Sequence, residues 1–344
     1  MTARRVGQTV LAGAIAVVLG HGWLFAHALP TLSIEAEYGA LGVVARLSSL
    51  VFAALAVLSA AWLGRRVSGD APTGAFLALG LVLFPPVTAL WSLATPHAAV
   101  TALLMTGLAC LWPGDETAPR RDLFGLACLA IATVIDGNGA KGATCAALLL
   151  LWLRPTRRLW LAAAAAAAAG VAFGSSPDAA DSSLIPIGKN AVLFGAILPF
   201  GMIWVAAVFS ALAARSRTVR DAMGWRAIAG CLAASAFFAA LIAQAGGGPN
   251  SLAAGGYFLP FGIVGALPFV VWVRRAMPQI THIGAWLAFP VIMYSCFWVV
   301  LGPVKPDRFP YMLLHKKGGQ SQNSSFYSDP FFVSRSFLTG EAHG

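Results

Sequence analysis

About eleven apolar runs follow one another along this chain, most of them near the length of a bilayer crossing, and arginines stand in the short gaps between them. That succession constrains the fold more than any motif does. Roughly 20 predominantly apolar residues are enough to cross a hydrocarbon core, and a backbone crossing it must satisfy its hydrogen bonds internally, as a helix does. By hydropathy the candidate spans cover roughly 8–28, 41–63, 73–90, 97–112, 122–135, 142–154, 159–174, 190–214, 227–245, 255–273 and 281–302. Of 344 residues, 58% are hydrophobic and only 10% charged, against about 25% charged in soluble domains. A water-soluble core of this size could not hide so much apolar surface. The expected class is therefore all-α: a polytopic integral membrane protein with about 11 transmembrane helices (range 9–12). It occupies residues 1–302, followed at 303–344 by a short polar tail containing "HKKGGQSQNSS".

The basic residues fix an expected orientation. The formal charge is +10, which by size alone would suit a nucleic-acid partner. The arginines, however, come in small groups between apolar runs, as cytoplasmic loops require, so no nucleic acid is expected. With the N-terminus inside, the inner loops hold Arg4, Arg5, Arg65, Arg66, Arg120, Arg121, Arg154, Arg157, Arg158, Arg215, Arg217, Arg220, Arg226, Arg274 and Arg275. The outer side keeps Arg46, Lys141, Lys189 and the tail. The expected location is the plasma (inner) membrane, N-terminus cytoplasmic and tail extracytoplasmic, with the lipid bilayer itself as one partner. Arg4 and Arg5 precede an apolar run as in a signal peptide, but no small-x-small cleavage site leads into a soluble domain, so a retained first helix is expected. Cys110, Cys128, Cys145, Cys231 and Cys296 all fall inside apolar runs, without metal spacing, and read as buried free thiols.

Ionisable groups at membrane depth are costly and usually functional, so the few on the outer side are the candidates. "IDGNGAKG" (135–142) is a glycine-rich knot carrying Asp136 and Lys141 between two apolar runs. It fails the phosphate-loop pattern, which wants Gly-Lys followed by Ser or Thr after a strand; here the order is Lys141-Gly142. As an outer turn, its backbone N–H groups could approach an anion as a nest does, with Lys141 as a point charge and Arg46 as a bidentate fork. Snorkelling to the interface explains both cations equally well. Glu35 and Glu37 point about 200° apart on a helix and share a face on a strand. A carboxylate above an embedded pocket suits a general base; a solvated loop pair is the plainer alternative. His97 follows Pro96 at a helix start, and Tyr257 opens a later span; both are pocket candidates. No cluster has metal-ligand spacing, and there is no Gly-x-Ser-x-Gly elbow.

Four segments in order resemble a known family. "VVARLSSLVFAALAVLSAAWLGRRVSG" (43–69) resembles the Ala-Arg-Leu segment, apolar span and Arg-Arg of the GT-C membrane glycosyltransferases, in the family-39-like group of protein O-mannosyltransferases and aminoarabinose transferases. "ALWSLATPHAAVTALLMTGLACLW" (89–112) is similar to that family's span after a short outer loop. "GAKGATCAALLLLWLRPTRRLW" (139–160) is similar to its Thr-Lys-Gly segment with a Leu-rich helix and basic loop. "GGYFLPFGIVGALPFVVWVRR" (255–275) is similar to its Tyr-x-Leu-Pro helix. The resemblance covers under half of the chain. It implies a polyprenyl-phosphate sugar donor, an acidic base in the first outer loop, and outer basic residues on the donor phosphate. By that resemblance Lys141 and Arg46 take the donor-phosphate positions, and Glu35 or Glu37 the catalytic one. The chain also differs from the pattern: only about 12 residues separate its first two spans, and Thr95-Pro96 stands where some members have Asp-Pro.

The expected function is thus transfer of a sugar from a polyprenyl-phosphate donor to an acceptor on the extracytoplasmic face. No cofactor is expected, with a divalent metal left open. A noncatalytic GT-C-like scaffold or lipid-binding subunit and a transporter or flippase are the alternatives. The transporter would need broken helices in two related halves with polar groups at mid-membrane. Phe84-Pro85-Pro86 and Leu198-Pro199 supply the breaks but not the charges.

Overall fold

The computed structural model describes residues 8–9, 11–16, 40–82, 96–113, 118–135, 137–173, 198–244 and 248–276, and the regular structure among them is entirely helical. Residues 8–9 and 11–16 are helical, and from Ala40 onward the helices are α1 (Ala40–Ser68), α2 (Ala71–Val82), α3 (Pro96–Leu111), α4 (Pro119–Ile135), α5 (Gly137–Leu153), α6 (Arg157–Phe173), α7 (Leu198–Ala213), α8 (Arg217–Met223), α9 (Trp225–Gln244), α10 (Gly248–Gly265) and α11 (Leu267–Ala276). Three stretches among them are long and apolar enough to cross a membrane: Leu47–Ser68, Trp225–Ile242 and Tyr257–Ala276. The last runs across the α10–α11 junction, where the Ala266 N–H is shared between the carbonyls of Gly262 and Ile263, 3.1 and 3.2 Å away.

α1 is uninterrupted by proline over 29 residues, about 43 Å at 1.5 Å per residue. It stops at Gly69, whose φ of 78° is open only to a residue without a Cβ penalty. Its N–H closes on the Arg65 carbonyl at 2.8 Å. Asp70 then accepts from the Thr73 N–H at 2.7 Å through Oδ1, satisfying one of the orphan donors at the start of α2. The chain doubles back so tightly that a Cβ on Gly74 would lie 2.1 Å from the Ala61 carbonyl oxygen.

α3 is the centre of the bundle. Every described residue from Pro96 to Leu111 except Ala99 is buried, which is what an element apolar all round requires. It packs on α1, α4, α5 and α10. The Ser59 and Thr106 hydroxyls meet across α1 and α3 at 2.8 Å, and Thr106 also donates to the Ala102 carbonyl at 2.7 Å. The periphery inverts soluble-protein polarity. α1 exposes Val44, Leu47, Val51, Leu58 and Trp62, and α4 exposes Leu123, Phe124, Ile131 and Val134. Apolar patches of that extent on a monomer mark contact with lipid or partners.

Seven of the eleven apolar segments read from the sequence fall on described helices; 73–90 and 190–214 are described only from 73 to 82 and from 198 to 214, 8–28 only at 8–9 and 11–16, and 281–302 lies outside the described residues. Two boundaries differ from expectation. The turn expected at 136–142 is helix from Gly137 onward, because its glycines let α5 pack flush against its neighbours instead of bending the chain. The short helix α8 falls between two expected spans; its apolar anchors, buried Val219 and partly buried Met223, pack with Ala213, Ala214 and Ile228, too little to show as a hydropathy peak. The tail at 303–344 lies outside the described residues.

Candidate functional site

Side-chain contacts join one set of helix ends. Arg66, near the end of α1, donates to the carbonyls of Ala109 and Cys110 at the end of α3, groups that have no intrahelical donor. Arg274 on α11 donates to Asp70 at 3.1 Å. Arg154, after α5, lies 3.6 Å from Asp122 at the start of α4. Trp152 donates its Nε1–H to the Arg226 carbonyl at 3.1 Å, and the Arg226 guanidinium lies 5.6 Å from the Trp152 ring centroid. Thirteen of the fifteen described Arg and Lys residues belong to this arginine end: Arg65, Arg66, Arg120, Arg121, Arg154, Arg157, Arg158, Arg215, Arg217, Arg220, Arg226, Arg274 and Arg275. Exposed Trp62, Trp152, Trp160 and Trp225 each sit within three residues of one of these arginines. The Trp–Arg adjacency is legible in the sequence and marks the same level as the positive loops do.

The other two basic residues, Arg46 and Lys141, lie toward the opposite end. Arg46 is on α1, 20 positions before Arg66, or about 30 Å along the helix. Lys141 is on α5, 13 positions before Arg154, or about 20 Å. Its immediate surroundings correct the expected nest. A Cβ on Gly139 would fall 2.0 Å from the Ala132 carbonyl oxygen of α4, and one on Gly142 would fall 2.6 Å from Leu104 Cδ1 of α3. The glycines are where α5 touches α4 and α3, with no room for an anion against that face. Lys141 is exposed and projects from the opposite side of α5, above exposed Leu148 and Trp152 (50% and 54% accessible). These three stand at i, i+7 and i+11 and form one stripe. Lys141 thus heads an apolar outward stripe, not a glycine cradle.

His97 and Tyr257 are brought together. Both rings are buried (7% accessible each), with centroids 4.1 Å apart and planes inclined by 30°. The contact pins the first turn of α3 to α10 on the far side of the molecule from the arginines. His97 is 13 positions before Cys110, about 20 Å by helical rise, so it shares the level of Lys141 but not its face. Phe237 of α9 stacks edge-on against Phe258 and Phe261 of α10, which makes this end a packed aromatic wall. The structure therefore joins two of the expected pocket residues and sets Lys141 apart from them on the outer surface.

Glu35, Glu37 and Asp136 lie outside the described residues, and of Arg46 only the position on α1 is described. Among the described residues the carboxylates are Asp70, Asp122 and Asp221, all at the arginine end. No group of three or more His, Cys, Asp or Glu side chains among them could hold a metal ion. No protein-family model, curated protein or solved structure matches this chain.

Proposed function

We propose that this chain is an integral membrane glycosyltransferase with about eleven crossings and a GT-C-like arrangement. It would take a sugar from a polyprenyl-phosphate donor at the end of the bundle opposite the arginines. The arginine end would be cytoplasmic, in keeping with the positive-inside rule, and the far end extracytoplasmic. A base in the first outer loop, Glu35 or Glu37, takes the proton of an acceptor hydroxyl. The hydroxyl oxygen bonds to the anomeric carbon, and the sugar–phosphate C–O bond breaks to release polyprenyl phosphate. Lys141 and Arg46 hold the phosphate, whose leaving charge a nearby cation stabilises.

One observation carries the reading. Lys141 is exposed at the head of an apolar stripe that ends at Trp152. A phosphate on a lipid reaches such a lysine from the side, through the bilayer, with its isoprenoid chain along Leu148. A soluble phosphate ligand would instead want an enclosed pocket. The four ordered sequence resemblances supply the reaction class; they are analogy of fold, and the site must supply the rest.

The test is thermal stability of the purified chain in detergent while polyprenyl phosphate is titrated, for wild type and Lys141→Ala. A ligand that binds only the folded state raises Tm with concentration. A saturable rise lost in Lys141→Ala supports the donor site, after which Glu35→Gln and Glu37→Gln separate binding from transfer. Binding without transfer by the wild type identifies the noncatalytic lipid-binding scaffold. No rise in wild type removes the donor.

A further inference from the structure

The arginine end carries more charge than its own contacts use. Thirteen arginines share it with three aspartates among the described residues. Asp70 is engaged by Arg274, and Asp122 by Arg154 and Arg121 at 3.6 and 3.9 Å. Arg66 is occupied by the carbonyls that end α3. Arg157, Arg158, Arg215, Arg217 and Arg220 are exposed, and none joins an ion pair among the described residues. They are not on loose chain. Val219 is fully buried against Ala213, Ala214 and Ile228, so α8 is seated by its apolar side while Arg217 and Arg220 face outward. Arg157 and Arg158 open α6, each three positions ahead of an exposed apolar residue, Trp160 and Leu161.

We propose that this surface, the α8 arginines together with Arg157 and Arg158, binds the headgroup phosphates of anionic phospholipids in the leaflet at the arginine end. Charge complementarity selects an anionic partner, because guanidinium matches phosphate bidentately. The tryptophans select lipid over a soluble acidic protein. Trp160 and Trp225 are exposed at the same level as the arginines, and indole rings settle at headgroup depth where one edge is wet and the other apolar. Past Trp160 the exposed residues of α6 are Leu161, alanines and Val171, an apolar surface that suits acyl chains better than an acidic protein. Basic residues beside a negatively charged leaflet each add to attraction. The inference rests on the membrane placement above but not on glycosyl transfer, and it concerns the opposite end from Lys141.

The experiment measures Tm of the full-length chain in neutral detergent while phosphatidylglycerol or phosphatidylcholine is added. Phosphatidylglycerol is expected to raise Tm by about 2–4 °C in a saturable way. Phosphatidylcholine leaves it unchanged, and about 1 M NaCl removes most of the rise, because exposed charges are then screened over a few ångströms. The variant Arg157→Gln/Arg158→Gln/Arg217→Gln/Arg220→Gln keeps the lipid-free Tm and loses at least half of the phosphatidylglycerol shift. Lys141→Ala keeps the whole shift, which separates this surface from the donor site whatever the fate of the donor proposal. An equal response to both lipids, a full shift in the fourfold variant, or the same rise from inorganic phosphate overturns the proposal. If the fourfold variant does not purify, the wild-type contrast between the two lipids decides by itself.

Discussion

The two ends of the bundle solve the same problem by different chemistry. At the arginine end, polar side chains tie one helix to another: Arg66 to the end of α3, Arg274 to Asp70, Arg154 to Asp122, Trp152 to the start of α9. At the far end the hydroxyls of Thr133 and Thr144 turn back onto the carbonyls four residues earlier, Leu129 and Ala140, within their own helices. There the helices meet through close approach of small residues, Gly139 on α4 and Gly142 on α3, and through the His97–Tyr257 rings. The contrast lies in the side chains available and not in close approach, which Gly74 against Ala61 and Gly125 against Leu111 show at the arginine end as well. Thirteen of the fifteen described basic residues and all three described carboxylates are at the arginine end, so charged ties form there; at the far end association rests on packing, and small residues permit it. An end held by packing has its polar side chains left for other work, which is why the rare ionisable groups there are the functional candidates.

The largest expected effect comes from breaking the packed end. Gly139→Ala places a methyl about where the Ala132 carbonyl oxygen already lies, a backbone atom that cannot rotate away. α5 must then lift from α4, at a cost of about 2–3 kcal/mol, read as a fall in Tm in detergent. Gly170→Ala, on α6, is the control: its methyl would meet Ala140 Cβ at an ordinary 3.7 Å. Relief of glycine's backbone entropy then leaves it neutral to stabilising by about 0.5–1 kcal/mol. Equal losses at both sites would mean that the far end is not held by close approach.

The next effect tests the tied end. Asp70→Ala removes the side-chain acceptor at the start of α2 and the partner of Arg274, with an expected loss of about 1–2 kcal/mol. Asp70→Asn keeps a capping oxygen and removes only the charge. The pair is partly open to solvent (17% and 34% accessible), so Asn should recover all but about 0.5 kcal/mol. A loss in Asn matching that in Ala would make the ion pair, and not the cap, the tie. Between the ends, Ser59→Ala deletes a hydroxyl pair that bridges α1 and α3 in mid-bundle. Such bridges average about 0.6 kcal/mol in bilayers, small enough that a double-mutant cycle with Thr106→Ala is the right measurement.

The helices were legible because hydropathy at this length leaves little choice. Seven expected segments lie on described helices and two more do so over their described part, and the grouping of Arg65, Arg154, Arg226 and Arg274 at one end followed from the alternation of spans. The start of α5 was not legible. Glycine and asparagine punctuate turns in soluble chains, and "GNGAKG" reads as one; in a packed bundle the same glycines are contact points, which only the neighbours Ala132 and Leu104 reveal. The partnership of His97 with Tyr257 joins positions far apart in the chain, and no local pattern encodes it. The outward stripe Lys141–Leu148–Trp152, by contrast, was available from the helical period once α5 was allowed to begin before the lysine. The position of the expected base, Glu35 or Glu37, lies outside the described residues, so the candidate site is legible on its cationic side alone.

Lys141→Ala is the smallest perturbation of stability and the one that sharpens the comparison most. The side chain is exposed and no ion pair among the described residues includes it, so its removal should shift folding by no more than about 0.5 kcal/mol. If Lys141 only anchors α5 at the interface, Lys141→Arg and Lys141→Ala should both leave any polyprenyl-phosphate response intact, since anchoring does not discriminate among lipids. If it holds a lipid phosphate, Ala abolishes the response while Arg retains much of it, because both cations attract phosphate though in different geometry. The packed end then differs from the tied end in purpose as well as chemistry. On that outcome Lys141, which faces outward, serves a ligand that arrives through the bilayer.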